Sequence, residues 1–315
     1  MAPSSAPPPS KSAAAPVLTK LNASYTALSS TTALPWVAKG AGLFGKQGLD
    51  VTLSFLSPAT LTAGLVSGSV DIGYGSPGSV AAADAHGGDL VILGATYEGS
   101  IFSIVARPGI AGLADLKGKK VGATQRGATT DFLIHQVAQQ QGFGPNDLNV
   151  VYIPQQASQI PAMSTGALDA AVLTEPFTSA AVAQGGHVIY GPNTKGANKY
   201  VSMSVISVKR SYVPAHRDLL KRFLTANVQA VRFLKTQTGE AATYVAPYLK
   251  MDDVAVVRKS LEGSLGVMRD DLTPTMPGLQ SVLTATATSD PAIAKLKPQD
   301  LVDLSIVDEI KASGK

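Results

Sequence analysis

Residues 70–78 read Val70-Asp71-Ile72-Gly73-Tyr74-Gly75-Ser76-Pro77-Gly78. An apolar run ends in a small polar residue and then proline, and a helix-compatible stretch follows to Ala85. Proline suits the first helical position, because its ring holds φ at a helical value and the N–H it lacks would be unpaired there. Ser76, just before it, is a typical N-cap. The same junction recurs where residues 51–56 meet Ser57-Pro58, and where residues 170–173 meet Thr174-Glu175-Pro176. Each reads as a strand whose carboxyl end feeds a helix N-terminus, where unpaired N–H groups and partial positive charge collect. In open α/β sheets small molecules bind at that edge. Three such junctions predict a polar cradle.

Around them the chain alternates. Strands are expected near 18–28, 49–56, 70–74 and 90–95, with helices near 35–41, 59–66 and 78–85. A second cycle places strands near 120–123, 149–153, 170–173 and 188–190, and helices near 113–117, 129–141, 158–164 and 176–183. After a strand near 203–208 the chain turns helical, through 218–236, 238–249, 251–265 and a last stretch at 298–310. The two cycles share a repeat. Leu65-Val66-Ser67-Gly68-Ser69-Val70-Asp71 matches Met163-Ser164-Thr165-Gly166-Ala167-Leu168-Asp169. Both read as a helix end, a glycine cap and a strand opened by aspartate, which points to two similar α/β lobes facing one cleft. Residues 17–106 plus 201–315 are expected to form the first lobe and 107–200 the second. The extended segments 101–106 and 201–208 are then the two crossings, a hinge for ligand-driven closure.

Composition narrows the chemistry. The 315 residues are 45% hydrophobic and 15% charged, enough apolar material for two cores. Net charge is +4 and the basic residues are scattered, the densest group being Lys117-Gly118-Lys119-Lys120, so nucleic acid is not an expected partner. Cysteine is absent, which excludes disulfides, thiol catalysis and thiolate metal sites. His86, His135, His187 and His216 show neither metal-ligand spacing nor a triad pattern, and no phosphate-loop or dinucleotide fingerprint occurs. A non-enzyme without metal or cofactor is expected. Residues 1–16 contain, after Met1, only Ala, Pro, Ser and one Lys. Such a segment buries too little to order itself; it reads either as a tether that followed a removed export or lipoprotein signal, or as an ordinary tail.

A family resemblance rests on four stretches. They are Pro35-Trp36-Val37-Ala38-Lys39-Gly40-Ala41-Gly42-Leu43-Phe44-Gly45-Lys46-Gln47-Gly48-Leu49-Asp50-Val51, then residues 67–76, then 113–122, then 165–170 continuing to Glu175-Pro176. Together they resemble bacterial ABC-transporter substrate-binding proteins of the nitrate/sulfonate/taurine type, which share a fold with the thiamine-pyrimidine-precursor binding proteins. The resemblance spans about residues 18–310. It implies a two-lobed periplasmic-binding-protein fold of the second topological type. It further implies a monomer at the periplasmic or extracellular face of the cell membrane, held there by a lipid tether, that hands a small solute to a permease and its ATPase. The same fold includes a fungal pyrimidine synthase that needs a cysteine-rich motif, absent here, and regulator domains that need a DNA-binding helix-turn-helix, for which residues 1–16 leave no room. A protein presenting its ligand to a membrane sensor stays open.

Candidate ligand residues follow. Thr31 or Thr32 either donates to ligand or caps a helix. Trp36 either walls the ligand or packs within its lobe. Ser57 and Ser76 act as both cap and cleft face. Tyr74 and Tyr97 offer a ring and a hydroxyl at strand ends, or lie buried within one lobe. In the second lobe the resemblance places a ligand head group at Gln125-Arg126-Gly127-Ala128-Thr129-Thr130-Asp131, against backbone N–H groups and the hydroxyls of Thr129 and Thr130. Arg126 either adds a bidentate cation for a sulfonate or carboxylate or is a solvated loop residue. Glu175 caps its own helix, accepts from ligand, or pairs with Arg126. The expected ligand is a small organic anion, a sulfonate or aromatic carboxylate, with nitrate-like ions or a neutral pyrimidine as alternatives.

Overall fold

The structure is a computed structural model that describes residues 18–99, 101–144, 146–192 and 202–314. The first cycle runs β1 (Thr19–Tyr25), α1 (Ala33–Gly40), α2 (Leu43–Lys46), β2 (Leu49–Phe55), α3 (Pro58–Ser67), β3 (Ile72–Gly75), α4 (Pro77–Ala85) and β4 (Leu90–Glu98). The second runs β5 (Ser103–Ala106), β6 (Lys120–Ala123), α5 (Thr129–Gln140), β7 (Asn149–Tyr152), α6 (Gln156–Ser164), β8 (Ala170–Leu173), α7 (Phe177–Ala183) and β9 (His187–Tyr190). The chain returns through β10 (Ser202–Lys209) to α8 (Tyr212–Ala215), α9 (Arg217–Thr236), α10 (Thr238–Leu249), α11 (Val254–Ser264), α12 (Met276–Thr286) and α13 (Ser305–Ala312).

Two five-stranded sheets result, ordered β2-β1-β3-β10-β4 and β7-β6-β8-β5-β9. In each, three strands run parallel and the fourth is antiparallel to its neighbours. The returning strand β10 holds in the first sheet the place that β5 holds in the second. Residues 103–106, expected with the first lobe, therefore pair in the second sheet. β4 of the first sheet is thus followed by β5 of the second, and β9 of the second by β10 of the first. Residues 1–16, with the expected tether, lie outside the described residues.

The repeat has a shared bonding pattern. Gly68 and Gly166 take φ of 80° and 76°, where a side chain would be strained. Asp71 then accepts the Asn22 N–H at 2.8 Å, and Asp169 accepts the Lys120 N–H at 2.9 Å. Each aspartate pins the start of its strand to the neighbouring strand. Asp169 also receives Arg107 at 2.7 and 2.9 Å. Burial acts to raise its pKa, but the Lys120 N–H and Arg107 hold it below the usual carboxylate range.

The cores follow from apolar content. β4 is buried along nearly its whole length, as its unbroken apolar run requires. α9 packs Leu220, Phe223, Leu224, Val231 and Leu234 inward. Two helical details depart from expectation. The helix placed at 251–265 starts at Val254, because Asp253 caps it by accepting from the Ala255 N–H at 2.9 Å. α12 was not anticipated, although it opens on Thr275-Met276-Pro277 with the Thr275 hydroxyl accepting from Gly278 N–H, the same cap-and-proline chemistry as α4. It packs against both α4 and α5. Among the described residues no helix is long and apolar enough to cross a membrane.

Candidate functional site

The carboxyl ends of β1, β3 and β6 meet at a cavity of about 40 Å³ between the two sheets. Its walls carry eight hydroxyl residues: Thr26, Ser29, Thr32, Ser76, Thr124, Thr129, Thr130 and Ser204. Gln156, Phe102, Pro58, Ala27, Gly75 and Ala128 complete it, so among the described residues no charged side chain lines the cavity. On this measure one water needs roughly 10–15 Å³; the space suits a few waters or the head of a small ion.

Local folding explains each group. β3 ends at Gly75, and Ser76 caps α4 by accepting from the Gly78 N–H at 3.1 Å. β6 ends at Ala123, and the Thr130 hydroxyl turns back to accept the Thr124 N–H at 2.9 Å while pairing with the Thr124 hydroxyl at 2.8 Å. The amino ends of α4 and α5 thus converge on the cavity with their partial positive charge. Thr32 directs its hydroxyl to the Ala27 carbonyl at 2.6 Å. Gln156 accepts from the Thr174 N–H at 2.9 Å and the Thr174 hydroxyl at 3.2 Å through Oε1.

The loop before α5 is held from behind. The Asp131 carboxylate accepts from Gly127 N–H at 2.8 Å and from the Tyr152 hydroxyl at 2.9 Å, and lies 3.4 Å from His135 Nε2. Burial acts to raise the Asp131 pKa, but His135 and these donors bring it below the usual range. Burial and the Asp131 charge push the Tyr152 hydroxyl up to about 12. A carboxyl lowered by folding contributes stability above its unfolded pKa, and that contribution is lost as pH falls through the lower folded value. Asp131→Asn is therefore expected to cost about 1–3 kcal/mol at pH 7. Urea unfolding at pH 7 and pH 3 should show that penalty shrinking in acid; a pH-independent penalty would count against the charged role.

Of the residues read from sequence, Thr32, Ser76, Thr129 and Thr130 border the cavity. The Thr31 side chain lies outside the described residues. The others lie elsewhere. Trp36 is fully buried, stacked on Tyr248 with ring centroids 5.0 Å apart and edge-on to Tyr25 at 5.3 Å, so it packs within its lobe rather than facing the cleft. Tyr74 is buried and donates to Asn227 Oδ1 at 2.7 Å; Tyr97 is buried and donates to the Ser30 carbonyl at 2.8 Å. Ser57 caps α3, accepting from Thr60 N–H at 3.2 Å, and its neighbour Pro58 borders the cavity instead. Arg126 is exposed, with its guanidinium 5.6 Å from the Tyr152 ring centroid, and does not line the cavity. Glu175 caps its own helix through Ser179 N–H at 3.2 Å and borders a separate cavity of about 500 Å³, with no ion pair to Arg126. The third junction also differs, because the Glu175–Pro176 bond is cis and Pro176 is the N-cap of α7 rather than its first residue.

Sequence reasoning missed Thr26, Thr124, Gln156, Phe102 and Ser204 as cavity residues. The first three follow strand ends or start a helix, a signal available in the alternation. Phe102 and Ser204 enter only through the crossing and the returning strand.

The family described as NMT1/THI5 like matches residues 31–241. The chain belongs to the NMT1/THI5-like family. This NMT1/THI5-like chain is 24% identical over 234 residues to a Brucella abortus (strain 2308) relative named as a binding protein, covering 74% of the chain and 72% of the relative. In structure it is similar to the periplasmic aliphatic sulphonate binding protein SsuA of Escherichia coli, with a TM-score of 0.74 and 20% identity over 92% of this chain and 99% of that one. The periplasmic nitrate-binding protein NrtA of Synechocystis PCC 6803 is similar too, with a TM-score of 0.77 and 18% identity over 95% and 90%. The two-sheet α/β architecture is thus the fold of periplasmic binding proteins.

Proposed function

We propose that the chain is the extracytoplasmic solute receptor of an ABC import system, and that the hydroxyl-lined cavity captures a small organic anion of the sulfonate or aromatic-carboxylate type. The observation that carries this is the meeting of two helix amino ends and eight hydroxyls on a cavity whose wall, among the described residues, holds no carboxylate. Helix amino ends favour anions through their free N–H groups and dipole. Solved relatives of this fold are named for sulphonate and nitrate. The family relatives are named as binding proteins, and the reading assigns this chain no catalytic step. The lobes built on the first sheet (β1–β4 with β10 and the helices after it) and on the second (β5–β9) close over the solute. The closed monomer, tethered by its N-terminal segment, docks on a permease whose ATPase supplies the energy. A nitrate-like ion is the second reading, favoured by the small cavity and by the burial of Trp36, Tyr74 and Tyr97 away from it.

The test is a thermal-shift and calorimetric panel of alkanesulfonates, benzoates, nitrate and an aminopyrimidine. A ligand at 100 times its Kd stabilises by about 2.7 kcal/mol. Anion hits support the reading; hits among neutral pyrimidines alone overturn it. Arg126→Ala is expected to change the affinity of an anion hit by less than about threefold, since an exposed charge is screened by water and salt. A tenfold loss would return Arg126 to the site.

A further inference from the structure

We propose that the cavity bordered by Glu175 is a second ligand site, which takes a small primary ammonium compound. Its volume is about 500 Å³, against about 40 Å³ for the hydroxyl-lined cavity. Among the described residues the two walls share none. Ser29, Thr32 and Phe102 border the small cavity, whereas their neighbours Ser30, Ile101 and Ser103 border the large one. The large cavity holds a carboxylate. Glu175 is half-buried there, and its Oε2 accepts from the Ser179 N–H at 3.2 Å. An ionised carboxylate has about four acceptor positions and no proton to give, so one N–H leaves most of them open. Among the described residues no Lys, Arg or His side chain borders the cavity.

The hydroxyls of this wall have their protons committed elsewhere. Ser260 of α11 and Ser30 donate to the Glu175 carbonyl at 2.8 and 3.3 Å, and Ser264 donates to the Leu261 carbonyl at 2.8 Å. A hydroxyl whose single proton is in use offers only lone pairs. Thr178 of α7 also borders the cavity, and its buried hydroxyl has no hydrogen-bond partner among the described residues. The two cavities therefore differ in kind. Helix amino ends bring N–H donors to the small one, while the large one presents acceptors and a negative charge. A primary ammonium is the complement of such a wall, with three N–H donors, no acceptor and a positive charge. Its bond to a carboxylate is of the strong, charge-assisted type. Ile101 and Val188 supply apolar surface for a short alkyl chain.

The site does not rest on the anion reading, and its test uses other probes. Isothermal titration of the full chain in an amine-free buffer at pH 7 takes ethanolamine as the ammonium. Glycerol is its neutral counterpart, and tetramethylammonium is a cation without N–H donors. Ethanolamine is expected to give a saturable isotherm, glycerol none, and tetramethylammonium an affinity at least about threefold weaker. Glu175→Gln keeps an oxygen for the Ser179 N–H, so the fold should persist, and it should weaken ethanolamine at least about tenfold through loss of the charge. Ser264→Ala removes one acceptor and should weaken it about two- to tenfold; this variant stands alone if Glu175→Gln does not fold. Three results would each overturn the site: no saturable ethanolamine isotherm, glycerol or tetramethylammonium binding as tightly as ethanolamine, or unchanged affinity in the folded variants.

Discussion

Trp36→Ala is expected to lower the free energy of unfolding by about 3–5 kcal/mol, the range for truncating a buried large aromatic. The indole is fully buried between α1 and the aromatic cluster of Tyr25 and Tyr248. Removing it leaves a cavity that rigid strands and α9 close poorly, and it takes away a stacked and an edge-on ring contact. Urea unfolding of the variant checks this directly. A loss below about 1 kcal/mol would mean that the indole is not a core side chain and would reopen its role as a ligand wall. Ligand affinity measured well below the unfolding transition should change little, because Trp36 does not border the cavity.

Thr129→Asp carries the second large effect. Thr129 is the first residue of α5 and lines the cavity. A carboxylate in the first turn of a helix is compatible with its dipole, so the fold is expected to persist. The same carboxylate would face an anionic ligand. Two unit charges 4 Å apart repel by about 4 kcal/mol at an effective dielectric constant of 20. With partial relaxation the expected loss is about 2–4 kcal/mol, or roughly 30- to 700-fold in Kd. Isothermal titration with a sulfonate or nitrate that binds the parent tests it. A loss under about threefold would place the anion elsewhere, and a neutral ligand retained with full affinity would point to a different solute class.

Much of the alternation was legible because its signals are local. Ser76-Pro77 and Ser57-Pro58 cap helices where expected, since the cap bond and the fixed proline φ involve only a few adjacent residues. β8 and α10 have the boundaries read from sequence. The aspartate repeat was visible as a pattern, but its purpose was not, because the Asn22 and Lys120 partners are 49 residues away in each case.

The site was half legible. Ser76 and Thr32 were placed by strand-end logic, which depends on chain direction alone, and Thr129 and Thr130 by the family resemblance. Trp36 and Arg126 were chosen for chemical type, and Tyr74, Tyr97 and Glu175 for type at a strand end or junction; neither says which way a side chain points. A strand turns successive side chains to opposite faces, so Tyr74 at the cleft edge of β3 turns into the core and bonds Asn227 on α9, 153 residues on.

Two α/β cycles, the cleft edge where they meet and the capping hydroxyls of Ser76 and Ser57 are written in local stretches of the chain. These depend on caps, glycine turns and hydrophobic period, all short-range. Long-range packing alone set the pairing of β5 in the second sheet, the burial of the large aromatics within the lobes and the position of Arg126 over the Tyr152 ring outside the cavity. These outcomes depend on long-range pairing and on burial of rings whose apolar area outweighs their polar tips, and such energies are set by neighbours distant in the chain.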